Sequence, residues 1–231
     1  MELNKLTISH GRFQDEKETE RAPYTEWFDG QHLLFTDISA SFHHVLFSKD
    51  TLSADIQIST NERSGLQVKK LQASLKFTPE IMEFNHLDLI TNKSHLKDYY
   101  AMRYNDFNED MNNFIHSVVL EGHFKDSELN SDDLAIFAPN LASWKRIFYL
   151  EGTAKGSIDN FMARNMKIKS GHSQVEGDIA LRGLPDINST FIDFKAKGLQ
   201  TSYADAVALV PSLARITQPQ LSKLGNVFYK G

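Results

Sequence analysis

No cysteine occurs among the 231 residues. That excludes disulfides, thiolate metal sites and thiol catalysis. It does not assign a compartment, because a chain of this length can bury enough surface to fold without cross-links. No basic block occurs either. The formal net charge is −5 and the two signs are interspersed, so the electrostatic footprint of a nucleic-acid binder is missing. No run approaches the ~20 apolar residues that cross a bilayer as a helix. The N-terminus has no basic segment followed by an apolar one, so it does not read as a secretory signal. The glycine and serine signatures of phosphate loops, dinucleotide folds and nucleophile elbows are also absent.

What the chain has is alternation. LSADIQIS (Leu52 to Ser59) and LQASLKFT (Leu71 to Thr78) switch between apolar and polar at every residue. A period of two gives each strand one apolar and one wet face. The second stretch has an echo 79 positions later. Leu71 falls on Leu150, Lys76 on Lys155, Leu87 on Met166, Leu89 on Ile168, Ser94 on Ser173 and Leu96 on Val175. The expected fold is therefore mainly β, an elongated, curled antiparallel sheet of groove type with a few short helices inserted.

Strands are expected at Leu6 to Phe13 with a bulge at Gly11, at Leu33 to Ser48, at Leu52 to Ser59 and at Leu66 to Thr78. Leu34, Ile38, Ala40 and Phe42 are assigned to one face, and 14–31 to a loop. Two short strands follow at Met82 to Phe84 and Leu87 to Thr91, then one at Leu96 to Tyr104. Later strands fall at Val118 to Lys125, Ile147 to Ala154, Met166 to Ile168, Gln174 to Leu181 and Phe191 to Lys197. Phe107, Met111, Phe114 and Ile115 have helical spacing, with Asn105 or Asp106 as cap. A second helix should open at Ser131 and stop at Pro139. A third should run from Thr201 or Ser202 to Val210, with a last helical turn near Pro219 to Leu224. LNSDDLAIFAPNL (Leu129 to Leu141) and LQTSYADAVALVPSL (Leu199 to Leu213) are similar, so two imperfect repeats cover about 66–141 and 147–213 of a single unit, 1–231. The ending Asn226-Val-Phe-Tyr-Lys-Gly231 reads as a strand in progress, as in a fragment of a longer protein.

Catalytic candidates are thin. His43 and His44 should point to opposite faces of a strand, and His116 and His123 lie in different elements without an acidic neighbour at ligand spacing. Asp132 and Asp133 form the one tight carboxylate pair, and a helix start explains it through the dipole. No metal, cofactor or enzymatic activity is expected. The remaining candidate is the apolar face itself: Leu52, Ala54, Ile56, Ile58, Leu71, Ala73, Leu75, Phe77, Leu87 and Leu89. It is either the packed core of a sandwich or the lining of an open groove. Ser53, Asp55, Gln57, Gln72, Ser74 and Lys76 should form the solvated opposite face.

FIDFKAKGLQTS (Phe191 to Ser202), KDSELNSDDLAIFAPNL (Lys125 to Leu141), the turn Leu89 to Leu96 and GDIALRGLPDINSTFIDF (Gly177 to Phe194) resemble phrases of the AsmA-like superfamily, and within it the TamB family. The resemblance runs from about Leu6 to Gly231 and rests on a degenerate β-repeat, so it carries over no active-site residue. It implies a periplasmic segment of a long protein tethered to the inner membrane. It also implies an apolar groove that shields phospholipid acyl chains between the inner and outer membranes. The alternative it leaves open is a structural spacer, or an assembly module that works with an outer-membrane β-barrel partner. The short helices depart from a plain β-groove and could plug it.

Overall fold

The computed structural model describes residues 2–21, 23, 26–186, 189–209, 214–216, 220, 223 and 225–231. Twelve strands follow one another in a single antiparallel sheet whose spatial order is the chain order. They are β1 (Glu2–Glu16), β2 (His32–Ser48), β3 (Thr51–Glu62), β4 (Gln67–Phe77), β5 (Ile81–Ile90) and β6 (His95–Arg103). The second half contains β7 (Val119–Asn130), β8 (Ile147–Ser157), β9 (Asn160–Ser170), β10 (Ser173–Arg182), β11 (Phe191–Ser202) and β12 (Asn226–Lys230). The sheet does not close, and each strand makes its extensive contacts with its hydrogen-bonded neighbours. The sheet is mainly β with few short helices, as the alternation requires.

Among the described residues, four α-helices join strand ends, α1 (Phe107–Asn112), α2 (Phe114–Ser117), α3 (Ser131–Phe137) and α4 (Tyr203–Leu209), and a short 3-10 turn at Pro139–Leu141 follows α3. Because neighbours are antiparallel, the odd strands all end at one rim of the sheet and begin at the other. We call these the upper and lower rims. Connectivity puts α1 and α2 on the lower rim, and α3 and α4 on the upper. Asp106 caps α1 by accepting from the Glu109 N–H at 2.9 Å. The single helix expected over Phe107 to Ile115 breaks at Asn113 (φ −118°, ψ 42°), a residue with weak helical preference next to another asparagine.

β4 to β7 followed by α3 and β8 to β11 followed by α4 are similar in order, but α1 and α2 stand between β6 and β7 in the first set. The two upper helices dock alike, through the acid at their third position. Asp133 accepts from Thr91 Oγ1 at 2.5 Å and from the Lys93 N–H at 3.1 Å, both in the β5–β6 turn. Asp205 accepts from Ser173 Oγ at 3.1 Å and pairs with Arg146 at 2.9 Å. Arg146 also exchanges hydrogen bonds with Ser131 through its backbone, so it ties the two helices together. Asp132 pairs with Lys93 and Lys145. The tight carboxylate pair is therefore a docking device.

Several strands are longer than the expected segments because bulges interrupt the alternation without ending pairing. The two short strands expected around Leu87 are one strand, β5, with an extra residue at His86. A bulge does sit at Gly11. A further one at Asp37 (φ 51°) corrects the face assigned to β2. Ala40 and Phe42 lie opposite Ile58 and Ile56, but on the far side of the bulge Phe35 lies opposite Glu62, on that same face of β3. Phe35, not Leu34, thus shares the face of Ile38, Ala40 and Phe42. The helical turn expected near Pro219 to Leu224, and the Val210 end of the third helix, lie outside the described residues.

Candidate functional site: one apolar face across twelve strands

Cross-strand pairs keep the ten predicted residues on one face. Leu52, Ala54, Ile56 and Ile58 of β3 lie opposite Phe77, Leu75, Ala73 and Leu71 of β4. Leu71 then lies opposite Leu89. Ala54, Ile56, Ala73 and Leu87 are buried together with Val45, and Leu52, Ile58, Leu71, Leu75 and Leu89 pack half-buried around them. Phe77 stands apart near the lower rim, where its ring meets Phe107 of α1 edge-on at 5.8 Å.

The face does not stop at β5. Leu89 pairs with Leu96, Phe84 with Tyr100 and Met82 with Met102. On the far side of α1 and α2 it resumes through Leu120, Gly122 and Phe124 of β7, opposite Gly156, Ala154 and Gly152 of β8. Ala154, Ala163 and Met166 form a second buried cluster, ringed by Phe124, Leu150, Phe161, Ile168 and Ile179. Ile179 and Leu181 hand the face on to Phe194 and Ile192 of β11, and Leu199 to Tyr229 of β12. The candidate face read from the sequence includes none of this second cluster. The offset of 79 was the signal, since it carries Leu71, Leu87 and Leu89 onto Leu150, Met166 and Ile168.

Among the described residues, no second sheet covers this face. Its deepest residue of the predicted set, Ile56, is nevertheless only 3 % exposed. A single-layer sheet achieves that when its own side chains converge over the position, which is the concave side of a curved sheet. α1 and α2 contain no buried residue of their own, and α3 contains two, Ser131 and Asp133. The connection from β1 to β2 reaches the helices: Lys17 donates to Asn112 of α1, and the Phe28 N–H donates to the Ile136 carbonyl of α3 at 2.9 Å while its ring packs on Phe137 at 5.0 Å. This connection bridges part of the face between the first strands and the helices.

The opposite face is wet. Asp55, Gln57, Gln72 and Lys76 are exposed, with Ser53 and Ser74 half-buried. Charged side chains link neighbouring strands across it. Asp88 accepts from Lys70 and meets His95, each at 2.6 Å. Those two contacts, Lys70 first, hold its carboxyl below the usual range. Glu121 sits between Arg103 at 3.0 Å and Lys155 at 3.1 Å. Burial pushes its carboxyl up, but the two cations outweigh that and the net direction is down. Tyr99 donates to Glu83 at 2.8 Å, and burial together with that bond pushes its hydroxyl up to about 12.

The histidines differ from expectation in detail. His44 adopts a left-handed conformation (φ 52°), so its ring reaches Asp55 at 2.9 Å on the face that His43 also occupies. His116 and His123 do have acidic neighbours in space, Asp159 at 2.7 Å and Glu121 at 3.6 Å. Among the described residues, no group of three or more His, Asp and Glu could hold a metal ion. No helix among them is long and apolar enough to cross a membrane. Compared with protein-family models, with curated proteins and with solved structures, the chain matches none.

Proposed function

We propose that this chain is a non-catalytic segment of an AsmA-like, TamB-type envelope protein. In this reading it lies in the periplasm, belongs to a protein tethered to the inner membrane, and shields phospholipid acyl chains on their way between the two membranes. The observation that carries the reading is the apolar face that passes from strand to strand along one open sheet, with no second sheet over it among the described residues. Exposing a chain of about sixteen carbons to water costs roughly 12 kcal/mol at ~0.8 kcal/mol per methylene. A trough with apolar side chains at every strand lowers that cost along the whole route, and the headgroup can stay wet at a rim. No bond is made or broken, so no catalytic group is needed.

Photocrosslinking in the full-length protein, in its native envelope, tests this. Ile56 is too tightly packed to host a bulky probe, so Leu75, Phe84 and Ile168 are the positions to use. Phospholipid adducts at these three, with none at Gln57 or Lys76, are the expected outcome. Equal labelling of the two faces, or no lipid on either, would sink the proposal. One observation favours the second reading, an assembly module for outer-membrane β-barrel proteins. β1 is an edge strand of 15 residues, with Leu6, Ile8 and Phe13 exposed. Such an edge can accept a client strand. Protein adducts from β1, without lipid adducts from the trough, would favour that reading.

A further inference from the structure

The trough face switches phase in mid-strand. In β5, Met82 and Phe84 lie on it, and so do Leu87 and Leu89, although strict alternation would send the second pair to the other side. His86 (φ 54°) absorbs the extra residue. The next strands do the same at the same level. Leu87 lies opposite Asp98 (φ 98°) of β6. Asp98 lies opposite Phe124 of β7, two residues before Asp126 (φ 47°). Phe124 lies opposite Gly152 (φ 135°) of β8. Across β8 and β9, the register slips between Glu151 and Thr153, where Asn165 (φ 49°) is the additional residue. Met166 lies opposite Gly177 (φ 153°) of β10.

Six consecutive strands therefore carry a positive-φ residue along one line. Side chains resist that conformation, Asn, Asp and His less than others, and glycine does not. All six occupants are of these four types. The offset of 79 that relates the two halves carries His86 onto Asn165 and Asp98 onto Gly177. At these two pairs the residue changes while the conformation stays; beyond them it does not, since Ala73, which the offset places on Gly152, has no positive φ.

A bulge bends its strand, and bulges aligned on adjacent strands curve a sheet. Burial follows the line on alternate strands. Leu87, Ser127 and Met166 each come directly after a left-handed residue on β5, β7 and β9, and they are 6 %, 1 % and 4 % exposed, whereas Tyr99, Thr153 and Asp178, which follow it on β6, β8 and β10, are not buried. Backbones close up there as well. A Cβ on Gly177 would stand 2.2 Å from the Lys195 carbonyl oxygen.

We propose that this line of bulges is a crease that folds the sheet along the trough and sets its depth, with Leu87, Ser127 and Met166 on the floor. The occupant of the trough rests on the acyl-chain reading above, whereas the crease itself does not. It is a shape-setting device that strictly alternating strands would lack. Its consequence for that reading is that an extended apolar chain runs along the crease, crossing the strands, with the rims on either side.

The missing cysteines make the test clean. Two labels introduced in the 231-residue chain by Asn160→Cys and Lys169→Cys straddle Asn165, one near each end of β9. Both positions are exposed. A straight strand would separate them by about 30 Å, at ~3.3 Å per residue. Electron-spin distance measurement should give a value several ångströms shorter. Asn165→Gly should keep that distance and raise Tm. Asn165→Val disfavours the left-handed backbone, and should lengthen or broaden the distance and lower Tm by about 5 °C. A wild-type distance at the straight-strand value overturns the crease, even if the valine variant fails to fold. So does a valine variant that keeps the wild-type distance and Tm. cis-Parinaric acid, an acyl chain whose fluorescence rises in apolar surroundings, is then added to the same proteins. Equal binding by wild type and the glycine variant, with at least a threefold loss in the valine variant, supports both ideas. Expected distances without parinarate binding leave the crease standing and count against the acyl-chain reading.

Discussion

The two buried clusters lie on one face of one sheet, yet they are built differently. Between β2 and β6 the floor is made of side chains: Val45, Ala54, Ile56, Ala73 and Leu87, with Phe42, Phe84 and Tyr100 among those leaning over them. Between β7 and β10 much of the floor is backbone. Gly122, Gly152, Gly156 and Gly177 take positions on the face, and larger neighbours lie across them. The Phe124 ring covers Gly122, and the Met166 sulfur would stand 2.7 Å from a Cβ on Gly152. Repeat symmetry makes the contrast specific, because the offset of 79 carries Ala73 onto Gly152. One half excludes water by filling space, the other by letting strands and a few long side chains close in.

Truncation should separate the two halves most strongly. Ile56→Ala removes a branched side chain from the best-packed point, and should cost about 3–4 kcal/mol in urea unfolding. Met166→Ala should cost nearer 2 kcal/mol, since fewer buried neighbours are left facing the gap. Equal losses would mean that the clusters are packed alike. The reciprocal exchange at the equivalent positions comes next. Gly152→Ala meets both a φ of 135° and the Asn165 carbonyl oxygen at 2.8 Å, and should cost about 2–3 kcal/mol. Ala73→Gly only loosens a strand that already accepts a side chain, and should cost about 1 kcal/mol. If Gly152→Ala proves as mild as Ala73→Gly, the second half is not held by backbone approach.

Much of this could be read from the residues. LSADIQIS and LQASLKFT state their faces outright, and they became β3 and the body of β4 with no slip where the pattern had none. The failures fall where alternation changes phase. Met82 and Phe84 against Leu87 and Leu89 looked like two short strands, because a period-two reading has no place for an extra residue that keeps the hydrogen bonding going. The same slip misplaced Leu34. His86, Asp98 and Asn165 are ordinary surface residues in a one-dimensional pattern. Their common conformation emerges only when the strands are laid side by side. That the apolar face has no second sheet over it was illegible for a different reason: cover by a second layer is a long-range property, and no local period encodes it.

The two upper helices offer a smaller contrast. Asp205 is partly buried, which raises its carboxyl, but hydrogen bonds from Ser173 and Arg146 and the charge of Arg146 outweigh this and the net direction is down. A group depressed in the folded state contributes stability above its unfolded pKa of about 3.9 and loses it as pH falls through the folded value. Asp205→Asn should therefore cost about 1–2 kcal/mol at pH 7. The gap between the two proteins should narrow steadily below about pH 4. Denaturation series at pH 7 and pH 3 read this directly, and a gap that is unchanged or wider at pH 3 would refute the docking role assigned to the charge.

The smallest effects belong to the wet face. Lys70 reaches Asp88 at 2.6 Å, which looks strong, but both side chains are about one-third exposed and solvent screens the pair. Lys70→Gln should cost no more than about 0.5 kcal/mol, because an exposed ion pair gains little over the water it displaces. Its expected insensitivity sharpens the contrast between faces. Leu75 is on the trough side of the same strand, and Leu75→Gln should leave a polar amide among Leu52, Ala54 and Phe84. Burying that amide without a partner costs about 1–3 kcal/mol on top of the lost apolar contact. If the two substitutions cost the same, the face we read as a trough is wetted like its reverse, and a conduit for apolar chains could not run along it.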